Sequence, residues 1–141
     1  MTAFDKHLSR LNACTEAREW AKGKTLAVAW RTCRRADWML WLAARVGVRR
    51  QDVVLAACAC ARTSLKYVRP GEERPRLAIE AAEDWARGGP TTLEQVRTAA
   101  SAAYADAAAY AARTKALRSM SVLVRKQIPY AVIAKAVRGA K

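Results

Sequence analysis

Residues 91–129 give the clearest indication of the fold and read TTLEQVRTAASAAYADAAAYAARTKALRSMSVLVRKQIP. It contains no glycine, and its only proline is Pro129 at the end, so no residue within it favours an interruption of helical structure. Alanine, the residue with the highest helix propensity, dominates the middle. The sequence therefore predicts one long alanine-rich C-terminal helix over residues 93–128, with a length of about 54 Å if it is unbroken.

The start of this helix carries two overlapping capping signals. Thr91 with Glu94, and Thr92 with Gln95, both have the spacing of a capping box. A helix this long is unusual within one domain, so a kink or a break inside it stays open as an alternative.

Residues that end or begin helices recur through the rest of the chain. Gly23 and Gly47 are expected to end short helices, and Thr25 and Asp37 to cap the helices that follow them. A strongly apolar helix over residues 49–68 is expected to stop at Pro70. Because no stretch alternates apolar and polar residues as a strand does, the sequence predicts an all-α protein.

Length and composition indicate one domain. The chain has 141 residues and 52% hydrophobic residues, enough to form a core without disulfides or metals. We expect a single-domain bundle of about six helices, made of an N-terminal helical segment (1–24), a core (25–129) and a basic C-terminal tail (130–141).

Tryptophans at helical spacing are the predicted core anchors. Trp38 and Trp41 are three residues apart, and Trp85 continues a stripe that Leu77 and Ala81 begin. The other face of that helix is expected to lie in solvent; it carries Glu80, Glu83, Asp84 and Arg87.

Neither a catalytic nor a metal site is predicted. Cys14, Cys33, Cys58 and Cys60 lack the paired spacing of a zinc site, and His7 has no partner at metal-ligand spacing. Clustered acids on a helix are usually solvated, and cysteines in an apolar helix are usually buried and inert. We therefore expect no enzyme activity, no metal and no cofactor.

Two central motifs carry a resemblance to a known family. The stretches DWMLWLAARVG and LAACACARTSLKYVRPGEERPRLAIEAAEDWARGG, followed by SVLVRKQIP, resemble a family of small phage and prophage immunity-like proteins. The resemblance covers residues 25–129. It implies an all-helical, non-enzymatic protein that acts by binding, and the family name implies neutralisation of a toxin.

Charge is distributed unevenly along the chain. The formal net charge is +14, and all 12 acidic residues lie at or before Asp106. Residues 107–141 therefore contain no acid, and neither do residues 21–36. The pattern predicts a polarised molecule whose basic side attracts a polyanionic partner.

The predicted partner is a bacterial host protein, such as a toxin, a nuclease or a defence complex including CRISPR effectors, which the protein inhibits. The alternative is sequence-independent binding of DNA or RNA. The residues expected to form the basic partner-binding face are Arg113, Lys115, Arg118, Arg125, Lys126, Arg34 and Arg35. A second possible surface is the loop that contains Arg69, Glu72, Glu73, Arg74 and Arg76.

Location follows from the apolar segments. The chain has no uncharged apolar run long enough to span a membrane, and its N-terminus lacks the apolar centre of a signal peptide. We expect a cytoplasmic protein that does not contact membranes.

Overall fold

The computed structural model describes the backbone of residues 1–104 and 113–140 and the side chains of residues 1–103 and 119–140. Within these ranges the regular structure is helical and there is no strand, which confirms the predicted all-α class. The helices are α1 (Ala3–Arg10), α2 (Thr15–Ala21), α3 (Leu26–Thr32), α4 (Ala36–Arg45), α5 (Arg50–Arg62), α6 (Arg74–Ala86), α7 (Leu93–Tyr104), α8 (Arg113–Gln127) and α9 (Tyr130–Gly139).

The predicted number of about six helices is too low, because α1 and α9 were not among the predicted helices and the predicted C-terminal helix is described as α7 and α8. Three turns between the first five helices contain residues with positive φ: Asn12 at 56°, Gly23 at 77° and Gly47 at 85°. Glycine and asparagine tolerate this backbone conformation better than other residues do. Gly23 and Gly47 therefore follow helix ends, as predicted.

The helix starts match the predicted caps in part. The Val28 amide donates to the Thr25 hydroxyl at 3.3 Å, which confirms Thr25 as the cap of α3. Asp37 is not the cap of α4, because that helix begins at Ala36 and the Asp37 carboxylate pairs with Arg35 instead.

Helix α5 ends well before Pro70, where the sequence predicted the stop. The Thr63 hydroxyl donates to the Cys60 carbonyl at 2.6 Å, and the backbone tightens into a 3-10 helix over Leu65–Tyr67. Threonine and serine side chains compete for backbone carbonyls in this way, which favours ending a helix where they cluster.

The predicted long C-terminal helix is described at its two ends. At its start, the Gln95 amide donates to the Thr92 hydroxyl at 3.1 Å, and the Thr92 amide donates to the Gln95 side chain at 2.8 Å. This confirms the second capping box, whereas the Thr91 amide donates to Asp84. The alanine-rich residues 105–112 lie outside the described part of the chain.

The helices pack around α5, which contacts α4, α6 and α8. Helix α7 packs on α6, α8 also contacts α4, α3 packs on α9, and α1 packs on α2. Residues 130–139, predicted as part of a basic tail, form α9 and place Ile133 in the core. The largest fully buried side chains include Met39, Val124 and Ile128.

The buried tryptophan is not one of those predicted. Trp30 is 3% exposed, whereas Trp41 is 38% exposed and Trp38 and Trp85 are half-buried. Spacing along one helix shows which tryptophans share a side, but not which side the neighbouring helices cover. The core-anchor prediction is therefore wrong for Trp41 and incomplete for Trp38 and Trp85.

Helix α6 buries a face different from the predicted one. Leu77 is 49% exposed, and Ile79, Glu83 and Ala86 are buried instead. The Glu83 carboxylate accepts two hydrogen bonds from the Arg62 guanidinium of α5, at 2.7 and 2.6 Å. This bidentate pair compensates the burial of the carboxylate, so Glu83 faces α5 rather than open solvent.

The Arg62–Glu83 pair predicts a pH dependence of stability. Hydrogen bonds from Arg62 lower the pKa of Glu83 below its ordinary value. A carboxyl with a lowered folded-state pKa stabilises the protein above its unfolded pKa, about 4.5 for a glutamate, and this contribution is lost as the pH falls through the folded-state pKa. We expect Glu83→Gln to lower the free energy of unfolding by about 1–2 kcal/mol at neutral pH. On acidification, the free energy of unfolding should then fall by a smaller amount in the variant than in the original protein.

Urea unfolding at neutral pH and at about pH 3 measures both effects. The matched control is Glu80→Gln on the same helix, since Glu80 is exposed and pairs with Arg76. Asp37 and Asp84 also have lowered pKa values, so the variant should keep part of the acid sensitivity. If the free energy of unfolding fell by the same amount from neutral pH to about pH 3 in Glu83→Gln and in the original protein, the Arg62–Glu83 pair would not be a source of the pH dependence.

Candidate basic interaction surface

Two helix ends meet at a junction of side-chain hydrogen bonds. The Trp30 indole N–H, on α3, donates to the Ile128 carbonyl just beyond α8 at 3.0 Å. In return, Nη1 of Arg125 on α8 donates to the carbonyls of Cys33 at 2.9 Å and Trp30 at 3.3 Å. Carbonyls at helix C-termini lack partners within the helix, and a cation is favourable there. Each helix end therefore supplies a donor to the other.

This junction brings together the two acid-free runs of the sequence. Helix α3 lies within residues 21–36, and α8 and α9 lie within residues 107–141. The packing of α3 on α9 joins them a second time. We define the acid-free surface as five exposed cations that lie in or just after α3, α8 and α9: Arg31, Arg34, Lys126, Lys135 and Arg138.

The cations of the acid-free surface are unpaired among the described residues, because none of the ion pairs there includes them. Within the described stretches of α3, α8 and α9 there is also no carboxylate side chain to offset their charge. Unpaired like charges on adjoining elements add to the local positive potential. The surface is therefore suited to binding an acidic partner.

The second predicted surface has the opposite character. It is not wholly a loop, because Arg74 and Arg76 belong to the first turn of α6. Arg74 pairs with Glu72, and Arg76 pairs with both Glu73 and Glu80. These ion pairs neutralise the segment locally, leaving less charge for a partner. Arg69, which the prediction included in this surface, is exposed and belongs to none of the ion pairs found among the described residues.

The structure separates the predicted basic-face residues. Lys126 and Arg34 are exposed, as expected for a binding surface. Arg35 is engaged, because it pairs with Asp37 and Glu16. Its guanidinium also lies 4.4 Å from the centre of the Trp38 ring.

Arg125 corrects the predicted orientation of the basic face. Its guanidinium points inward to the carbonyls at the end of α3, so the expectation that it faces outward is wrong. The spacing of Arg118 and Arg125 indicated a shared side of α8, but the carbonyls that attract Arg125 lie far away in the sequence.

The other predicted residues of α8 are Arg113, Lys115 and Arg118. The backbone of α8 includes all three, but their side chains lie outside the described residues. Sequence reasoning left Arg31, Lys135 and Arg138 out of the predicted face. The lack of acids in both runs was the signal that could have identified them.

Exposed valines accompany two of the lysines. Val122 on α8 is 59% exposed and lies one turn before Lys126, and Val132 on α9 is 39% exposed and lies one turn before Lys135. Tyr130 is also exposed at the start of α9. Exposed apolar and aromatic groups can be buried by an apolar patch of a partner protein, whereas the cations suit the polar rim of such an interface.

Burial makes the free cysteines Cys58 and Cys60 poor nucleophiles. It raises the pKa of the Cys58 and Cys60 thiols to about 11, so little thiolate forms at neutral pH.

Among the residues whose positions are described, no group of three or more His, Cys, Asp or Glu side chains is placed to hold a metal ion. In the same part of the chain, no helix has both the length and the apolar character needed to cross a membrane.

Comparison with known proteins finds no matching family model, no similar curated protein and no similar solved structure. The resemblance to phage immunity-like proteins thus stays a hypothesis.

Proposed function

We propose that this is a non-enzymatic binding protein of a phage or mobile element that docks on a bacterial protein and inhibits it. The acid-free surface is the proposed contact, and the partner is a toxin, a nuclease or a defence complex such as a CRISPR effector. The phage origin and the inhibitory role rest on the sequence resemblance. The docking surface rests on the joining of two acid-free runs by Trp30 and Arg125.

Charge supports a fast and selective encounter with an acidic surface. A net charge of +14 on 141 residues attracts an oppositely charged partner over a Debye length of about 8–10 Å at physiological salt. Complementary charge raises the association rate and disfavours partners of the same sign. Sites that hold nucleic acid are themselves basic, so on a nuclease the acid-free surface would contact an acidic patch away from the substrate site.

The valines favour a protein over a nucleic acid as the partner. Phosphate contacts need cations and hydrogen-bond donors, but they do not need exposed Val122 or Val132 beside the lysines. Burial of these valines against an apolar patch would stabilise a protein complex, at about 25 cal/mol per Å² of apolar area. Nucleic-acid binding is kept as the second candidate because the unpaired cations by themselves also suit a phosphate backbone.

Charge reversal on α9 tests the proposal. Lys135→Glu with Arg138→Glu should weaken partner binding by at least about tenfold, because two attractive charges become repulsive. The matched control is Lys66→Glu with Arg97→Glu, which changes the net charge equally at exposed positions of other elements. Binding is measured with bacterial lysate as the source of partner, before and after nuclease treatment, and then with the purified captured protein.

The outcomes separate the two candidates. A protein partner is supported if the captured protein remains bound after nuclease treatment, is lost with the α9 variant and is kept with the control variant. Inhibition of that partner's activity completes the test. Capture that disappears with nuclease supports direct binding of DNA or RNA. Equal binding by both double variants would place the contact away from the acid-free surface.

A further inference from the structure

A cavity of about 480 Å³ lies among α1, α2, α3 and α4. Its walls are mainly apolar and include Phe4, Leu8, Met39 and Leu42. Small-molecule sites typically have volumes of about 300–1,000 Å³ and apolar walls with a few polar groups. The cavity has this size and composition, and it does not involve the cations of the acid-free surface.

Tryptophans dominate the lining of this cavity. Trp20, Trp30, Trp38 and Trp41 all contribute, although the whole chain has only five tryptophans. The Trp20 and Trp38 rings lie 6.0 Å apart between centres and are tilted by 52°. Such rings offer both faces and edges to another aromatic ring, and the contact is worth more than area burial alone. The lining therefore favours an aromatic occupant.

A cationic side chain already lies close to each of three of these rings. Lys24 lies 4.7 Å from the Trp20 ring centre, Arg35 lies 4.4 Å from that of Trp38, and Arg45 lies 5.8 Å from that of Trp41. An aromatic cage for a cationic ligand needs free ring faces and no competing positive charge. A cationic occupant is therefore disfavoured.

The polar part of the lining disfavours an anion. Asp37 is the only lining residue with a charged side chain among those described. Hydrogen bonds from Arg35 lower its pKa, so it is ionised at neutral pH. An anionic occupant would lie beside the Asp37 carboxylate, and like charges at short distance repel.

Asp37 also offers a specific contact. Its two oxygens accept from Nε and Nη2 of Arg35 at 2.9 and 2.7 Å. An ionised carboxylate has about four acceptor positions, so capacity remains for a donor on the ligand. We infer that the cavity binds a neutral, mainly aromatic small molecule that carries one hydrogen-bond donor, a hydroxyl or an N–H, directed at Asp37.

A series of naphthalene derivatives tests each part of this inference. Naphthol, naphthalene, naphthoate and naphthylmethylammonium share one ring system and differ in donor and charge. Ligand-observed NMR titrations should show the tightest binding for naphthol. Naphthalene should bind about tenfold more weakly, since it lacks the donor for Asp37. Equal or tighter binding of either charged derivative would overturn the assignment of a neutral ligand.

Two substitutions locate the binding. Ala17 lines the cavity, and Ala17→Phe should fill part of it and weaken naphthol binding by about tenfold or more. The control is Ala57→Phe at an exposed position of α5 outside the lining. In Asp37→Asn the preference for naphthol over naphthalene should shrink, and naphthoate should gain affinity because the carboxylate is gone. Unchanged naphthol affinity in a folded Ala17→Phe protein would overturn the site.

Cys14 gives a second readout without any substitution. It lines the cavity and is exposed, whereas Cys33, Cys58 and Cys60 are buried. A bound ligand should slow the alkylation of Cys14 by maleimide in proportion to occupancy. An alkylation rate that naphthol does not change, at concentrations where NMR reports binding, would place the ligand elsewhere and overturn the inference.

Discussion

Replacing Trp30 with alanine should lower the free energy of unfolding by about 3–5 kcal/mol, the range found for large aromatic residues removed from a core. Trp30 is almost wholly buried and packs in the main cluster with Met39, Val124 and Ile128. The substitution also removes the indole donor, so the Ile128 carbonyl loses a hydrogen-bond partner. Since total stabilities are commonly about 5–15 kcal/mol, this change would remove a large fraction of the stability.

Denaturant unfolding followed by circular dichroism measures this effect. Trp41→Ala is the matched comparison, because Trp41 is the most exposed of the tryptophans predicted as anchors, and it should cost roughly 1 kcal/mol. Trp30→Phe keeps an aromatic ring but removes the N–H, so it should lie between the two. If Trp41→Ala destabilised the protein more than Trp30→Ala, the assignment of Trp30 as the anchor would be wrong.

Replacing Arg125 with methionine should lower the free energy of unfolding by about 2–3 kcal/mol. Methionine keeps the apolar length of the side chain but donates no hydrogen bond. The carbonyls of Trp30 and Cys33 then lose a charged donor at the end of α3, and bonds to charged groups contribute about 1.5–3 kcal/mol. The contact between the ends of α3 and α8 should loosen as a result.

The control for Arg125 is its neighbour Lys126, which is exposed on the same helix. Lys126→Met should change stability by less than about 0.5 kcal/mol while weakening binding of an acidic partner. Arg125→Met should show the reverse, with a loss of stability and, in the folded fraction, little loss of binding. If Arg125→Met left stability unchanged and abolished binding, Arg125 would be a residue of the docking surface and not a structural one.

Local signals predicted the local structure well. The all-α class, the capping box of Thr92 and Gln95, and the helix ends before Gly23 and Gly47 follow from residues within a few positions of each feature. The early end of α5 was missed because a threonine bond to the Cys60 carbonyl, rather than Pro70, accompanies it. Such a bond competes with the backbone hydrogen bonds of the α-helix. The difference in free energy between the two is small, and a sequence pattern does not reveal it.

Burial was predicted less well than helix position. For α6 the apolar spacing favoured Leu77, Ala81 and Trp85, yet the face toward α5 contains Glu83. A carboxylate is buried at low cost only if a partner such as Arg62 meets it, and that partner lies on another helix. The same reason explains why the inward orientation of Arg125 was not predicted.

Composition and local spacing establish that this protein is helical, strongly basic and free of acids in two separate runs, because they depend on no distant contact. The packing of the helices establishes that these two runs adjoin, that Trp30 rather than Trp41 is buried, and that Arg125 is a structural residue. The same contacts place tryptophans of α2, α3 and α4 around one cavity. The physical reason is that a helical period places side chains around one axis, whereas burial and pairing depend on which other helix covers each side.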